Sequence, residues 1–126
     1  LHGLARSGVA ISAANFVAAR EGSGDLADAR AELTLVTAHE IGHYLGLFHT
    51  TEANGQGLAG GQNGVDPIDD TPICEDAADV DTDGVLSASE CSGSDGSNLM
   101  FWSPPNSARN LTSGQGNVLR RNPVVR

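Results

Sequence analysis

The chain has 126 residues, enough for one domain, and a formal net charge of −9. Its 7 basic residues are all arginine and form no basic stripe, which argues against nucleic acid as a partner. No apolar run approaches the roughly 18 residues that a membrane span requires, so no segment reads as membrane-crossing.

Residues 9–18 (VAISAANFVA) are apolar and read as a strand interrupted by Asn15. Residues 21–25 (EGSGD) read as a turn. A helix is expected to start between Asp28 and Leu33 and to end near Gly46. Leu35, Ala38, Ile41, Leu45 and Phe48 fall near helical spacing and are expected to face the core.

This helix carries the main chemical signal, His39-Glu40-Ile41-Gly42-His43-Tyr44-Leu45-Gly46-Leu47-Phe48-His49. Histidines four residues apart on a helix are offset by about 40° and roughly 6 Å, so His39 and His43 can reach one ion. His49 would point away on a continuing helix. Gly46 tolerates the left-handed conformation that ends a helix, and the chain can then bring His49 back to the same metal. Three neutral histidines leave a fourth zinc position open, as a catalytic site requires. Glu40 is then placed to take a proton from the water that the metal activates and to pass it to a leaving amine.

Residues 53–64 are rich in Gly and Asn and read as an irregular surface loop. Beyond them, Asp79-Val80-Asp81-Thr82-Asp83-Gly84-Val85-Leu86-Ser87-Ala88-Ser89-Glu90 fits the twelve-residue calcium loop of an EF-hand. Asp79, Asp81 and Asp83 take positions 1, 3 and 5, and Gly84 supplies the sharp turn. Val85 offers its carbonyl, Ser87 its hydroxyl or a bridging water, and Glu90 a bidentate carboxylate. Pro72 before the loop and Cys91-Ser92-Gly93-Ser94 after it leave no room for two full flanking helices, so a structural clip is expected rather than a calcium switch. Residues 103–110 (SPPNSARN) contain no acidic residue; their Arg109 reads as a solvated surface cation. Thr112 and Gln115 form a capping box that starts a helix running to about Arg121, with Pro123 as its stop. No internal repeat is visible.

The HExxHxxGxxH run resembles the metzincin signature, a zinc-protease pattern that also includes a methionine turn below the metal. The chain's one methionine, Met100, stands in Asn98-Leu99-Met100-Phe101-Trp102, where the resemblance implies that turn. Several minor motifs resemble the pappalysin (cytophagalysin) branch: His49-Thr50, Asp70-Thr71-Pro72 followed by Cys74, Cys91 ahead of the Met-turn, and Leu111-Thr112-Ser113-Gly114-Gln115. Together they run from about residue 33 to 121. Within this resemblance a Cys74–Cys91 disulfide is expected, with two reduced thiols as the alternative. The calcium dependence of that branch suggests a second, weaker site at Asp66, Asp69, Asp70 and Thr71. In metzincins a strand above the cleft binds substrate in extended form, a role that 9–18 could take. The chain departs from the family at Trp102, which stands where a tyrosine commonly lies near the zinc; indole cannot ligate zinc, although its N–H is a donor. Tyr44 follows His43 on a different helix face and is no substitute.

The resemblance implies an α+β, zincin-like fold and one catalytic domain over 1–126. Residues 1–46 would hold the end of the upper subdomain and the active-site helix, and 47–126 the lower subdomain with the insert 79–90. Thirty-odd residues before the helix cannot supply a complete upper sheet, so the chain reads as the C-terminal part of such a domain. Tyr44, Phe48, Phe101 and Trp102 are expected to pack the helix against the Met-turn. The implied activity is a secreted zinc endopeptidase acting on proteins or peptides, with zinc and calcium as cofactors. The alternatives are a weak or inactive calcium-stabilised binding module and a metal-binding structural domain. Nothing in the sequence sets an oligomeric state.

Overall fold

A computed structural model describes residues 8–54 and 66–125. Among the described residues three α-helices carry the regular structure: α1 (Ala14–Arg20), α2 (Leu26–Tyr44) and α3 (Ser113–Arg121), with a short 3₁₀ turn at Asp76–Ala78. The β structure among the described residues is one isolated parallel bridge, Asn98 to Asn110. The β component expected of an α+β fold is therefore not seen in them. None of their helices is long and apolar enough to cross a membrane.

The strand expected over 9–18 is corrected. Its second half is the start of α1, and 8–13 have no regular structure. A lone strand leaves its backbone donors and acceptors unpaired. The alanine-rich run 13–19 satisfies them internally instead, through bonds such as Val17 N–H to the Ala13 carbonyl (2.9 Å). Asn15, read as an interruption, donates its carboxamide to the Glu32 carboxylate at 3.1 and 3.2 Å and so ties α1 to α2.

Helix α2 begins two residues before the expected window because Asp25 caps it, accepting from the backbone N–H groups of Ala27 and Asp28. At the other end Gly46 has φ +99°. Gly46 N–H donates to the His43 carbonyl and Leu47 N–H to the Gly42 carbonyl, both at 3.0 Å. This is a Schellman closure, which reverses the chain toward His49. The buried residues of α2 are Ala29, Leu35, His39 and Gly42. Ile41 and Phe48, both expected in the core, are 43% and 52% exposed. At about 100° per residue, Ile41 lies some 200° around the helix from His39. Phe48 lies past the reversal, where helical spacing no longer applies.

Residues 66–125 form a mostly irregular body around Cys74, Leu86, Cys91 and Phe101. Cys74 and Cys91 are joined in a disulfide. Helix α3 starts at the expected capping box: Thr112 Oγ1 accepts from Gln115 N–H (3.1 Å), and Gln115 Oε1 from Thr112 N–H (2.9 Å). Gln115 is fully buried, and its amide also pairs with Asn98. Asn98 in turn accepts the Met100 N–H at 2.8 Å. One glutamine thus starts α3 and, through Asn98, shapes the turn that carries Met100.

Candidate metal centre

His39 and His43 lie on the last turns of α2, and the Gly46 reversal returns His49 to them. The Nε2 atoms of His39 and His43 are 3.0 Å apart, and those of His39 and His49 are 3.1 Å apart. Each imidazole is held from behind through Nδ1. His39 Nδ1 lies 2.8 Å from the Leu99 carbonyl, His43 Nδ1 2.9 Å from the Leu47 carbonyl, and His49 Nδ1 3.0 Å from a Glu52 carboxylate oxygen. Carbonyl and carboxylate oxygens only accept, so each Nδ1 carries a hydrogen and donates it. In the neutral rings the three Nε2 atoms then present lone pairs to one another. Burial pushes His39 below the ordinary histidine value, against the opposing pull of its bond to Leu99, and so favours its neutral form. Converging lone pairs at this spacing repel unless a cation lies between them. Tetrahedral zinc with bonds of about 2.0–2.1 Å puts its ligand nitrogens about 3.3 Å apart. The donor set therefore fits zinc.

A cleft of about 570 Å³ opens at this cluster, lined by residues that include His39, Glu40, His49, Trp102 and Pro104. Glu40 thus faces the same space as two of the three histidines. Met100 is fully buried below α2. A Cβ on Gly42 would lie 2.5 Å from its sulfur, a space that only glycine leaves open. The backbone joins the two segments as well: Thr50 N–H donates to the Met100 carbonyl (2.9 Å) and Trp102 N–H to the Thr51 carbonyl (3.2 Å).

Trp102 walls the cleft, but its indole N–H donates to the Leu86 carbonyl at 2.7 Å and is not free for substrate. The rings of Phe101 and Trp102 lie 6.4 Å apart, centroid to centroid. Exposed Phe48 does not join them in the core, contrary to the expected four-residue aromatic contact. Arg109 is exposed and donates to the carbonyls of Asn106 and Ala108 in its own turn. Glu52 escaped the sequence reading. A carboxylate three residues past the last histidine was its only signal, and acidic residues are common in this chain.

The acidic loop brings ligand oxygens of Asp79, Asp81 and Glu90 within 4.8 Å of one another. Asp79 Oδ1 is buried without a hydrogen-bond partner. The backbone N–H of Asp83 holds the Asp81 carboxyl down, but lost hydration and the charges on Asp83 and Glu90 outweigh it, leaving a net upward shift. Asp83 is outside the trio, and its carboxylate accepts the Val85 N–H at 2.8 Å. The Ser87 hydroxyl donates to Glu90 at 2.6 Å.

Asp66, Asp69, Asp70 and Thr71 do not form such a group. Asp69 is exposed, and Asp70 turns away to accept the Gly114 N–H at 2.8 Å at the start of α3. Asp66 is buried, with Oδ2 unpartnered; burial pushes its carboxyl above the ordinary range. The loop read at 53–64 lies outside the described residues from 55 onward.

The Matrixin peptidase family matches residues 11–55, the segment that holds α1, α2 and His39, His43 and His49. The match supports a metzincin-like protease relationship at the superfamily level and does not single out the pappalysins. No curated protein and no solved structure matches the chain.

Proposed function

We propose that the chain is a zinc-dependent endopeptidase of the pappalysin-like metzincin type, secreted and acting on protein or peptide substrates. The observation that carries this reading is the convergence of three Nε2 lone pairs whose Nδ1 hydrogens are already committed. His39, His43 and His49 would hold the ion. When bound, zinc supplies Lewis-acid polarisation to a peptide carbonyl and to water. The Glu40 carboxylate accepts the proton of the attacking water and returns it to the leaving nitrogen. Trp102 and Pro104, which line the cleft, would border a peptide held there. The disulfide supports an extracellular setting, where such bonds persist.

Calcium at Asp79, Asp81 and Glu90 is the second part of the proposal, with Asp83, Val85 and Ser87 completing the shell as the loop pattern implies. The unpartnered Asp79 oxygen supports it. The committed indole of Trp102 favours one other reading, a weak or inactive binding module, because it removes a donor from the place where the family commonly has tyrosine.

Digestion of casein or a peptide library separates the two. The zinc-loaded chain is expected to cleave, and Glu40→Ala to lose about 10²- to 10⁴-fold in rate. Equal cleavage by wild type and Glu40→Ala would remove Glu40 from the mechanism, and no cleavage by either would favour the binding module.

A further inference from the structure

The three histidines are not held alike. His39 and His43 lean on the main-chain carbonyls of Leu99 and Leu47, while His49 leans on a side chain, Glu52. His49 is also the one ligand outside the helix, so α2 does not fix its ring. We propose that Glu52 is a positioning residue that sets the pose and tautomer of His49 at the metal centre. The inference rests on the zinc reading above and adds a determinant of metal affinity to it.

Glu52 does not reach His49 by the chance of a mobile surface chain. The backbone around it is fixed at several points. Thr50 N–H donates to Met100, the Thr51 carbonyl accepts from Trp102 N–H, and the Ala53 carbonyl accepts from Leu86 N–H at 2.7 Å. The Thr51 hydroxyl oxygen also accepts the Cys74 N–H at 3.0 Å. Residues 50–53 are therefore tied to the Met-turn, the acidic loop and the disulfide, and this frame presents the Glu52 carboxylate to Nδ1. Both side chains of the pair are 24% exposed, so the contact adds little to stability by itself. Its effect falls on the ligand. A carboxylate oxygen at 3.0 Å accepts the Nδ1 hydrogen, fixes the ring's orientation and leaves the Nε2 lone pair for the metal.

The test is zinc affinity by chelator competition, read alongside the visible spectrum of the cobalt(II)-loaded protein. Glu52→Ala is expected to bind zinc about 10- to 100-fold more weakly and to change the cobalt spectrum. Glu52→Gln keeps the size and one acceptor oxygen, so it should recover part of the affinity and the wild-type spectrum. A merely structural role would lower the melting temperature of Glu52→Ala without moving the spectrum, which would overturn the proposal. Wild-type affinity and spectrum in both variants would overturn it too. A wild-type chain that binds no zinc would instead overturn the metal reading from which it starts.

Discussion

Gly42 and Met100 show how closely the centre is built at the scale of single residues. Met100 is fully buried, and its sulfur occupies the space where a side chain on Gly42 would begin. Gly42→Ala must displace that thioether and is expected to cost about 1–3 kcal/mol, measurable by urea unfolding of the zinc-loaded protein. Unchanged stability would mean that Met100 moves aside freely and does not brace the helix. The position reads as one of the variable letters between His39 and His43, and nothing in that spacing announces a close approach. The histidines were legible because helical geometry alone brings two of them together. Glu52 was not, since its role depends on the path of the chain after Gly46.

Elements differ in how far local sequence determines them. Helix α3 was readable because Thr112 and Gln115 act within one turn. Its link to Asp70 spans 44 residues and left no local mark. Bonds to Thr112 first, and to the Gly114 N–H, hold the Asp70 carboxyl below its ordinary value. A depressed carboxylate stabilises the fold above its unfolded pKa of about 3.8, and this contribution is lost as pH falls through the lower folded value. Asp70→Asn is therefore expected to melt below wild type at neutral pH, with the gap closing as the pH falls below about 4. A gap that stays constant across that range would contradict the assignment. The acidic loop makes a separate prediction. Calcium added to zinc-loaded protein at a hundred-fold excess over Kd should stabilise the fold by about 2.7 kcal/mol and so raise the melting temperature. Glu90→Gln should reduce that shift. A melting temperature indifferent to calcium would leave the loop as an acidic turn. EDTA alone cannot decide the matter, because it strips both metals.

Over the whole molecule, the sequence spoke most clearly where chemistry is local and least clearly where pairing is distant. The second half of the strand read over 9–18 is the start of α1, because apolar composition does not distinguish a helix from a strand that has a neighbour. Ile41 and Phe48 were assigned to the core on spacing, yet the stripe that packs is the one bearing His39 and Gly42. The irregular body of residues 66–125 has little regular structure besides α3 to organise it. Its disulfide closes 17 residues and contributes about 3 kcal/mol on loop-closure grounds. That body delivers the Leu99 carbonyl to His39 and places Met100 under the helix, so the histidine cluster depends on both halves of the chain. Zinc content per chain after gel filtration tests the histidine cluster as a zinc site, for wild type, Glu40→Ala and the alanine variants of His39, His43 and His49. One zinc is expected in wild type and in Glu40→Ala, and a sharp loss in His39→Ala, His43→Ala and His49→Ala. Zinc retained in all three histidine variants, or absent from wild type supplied with the metal, would contradict that expectation.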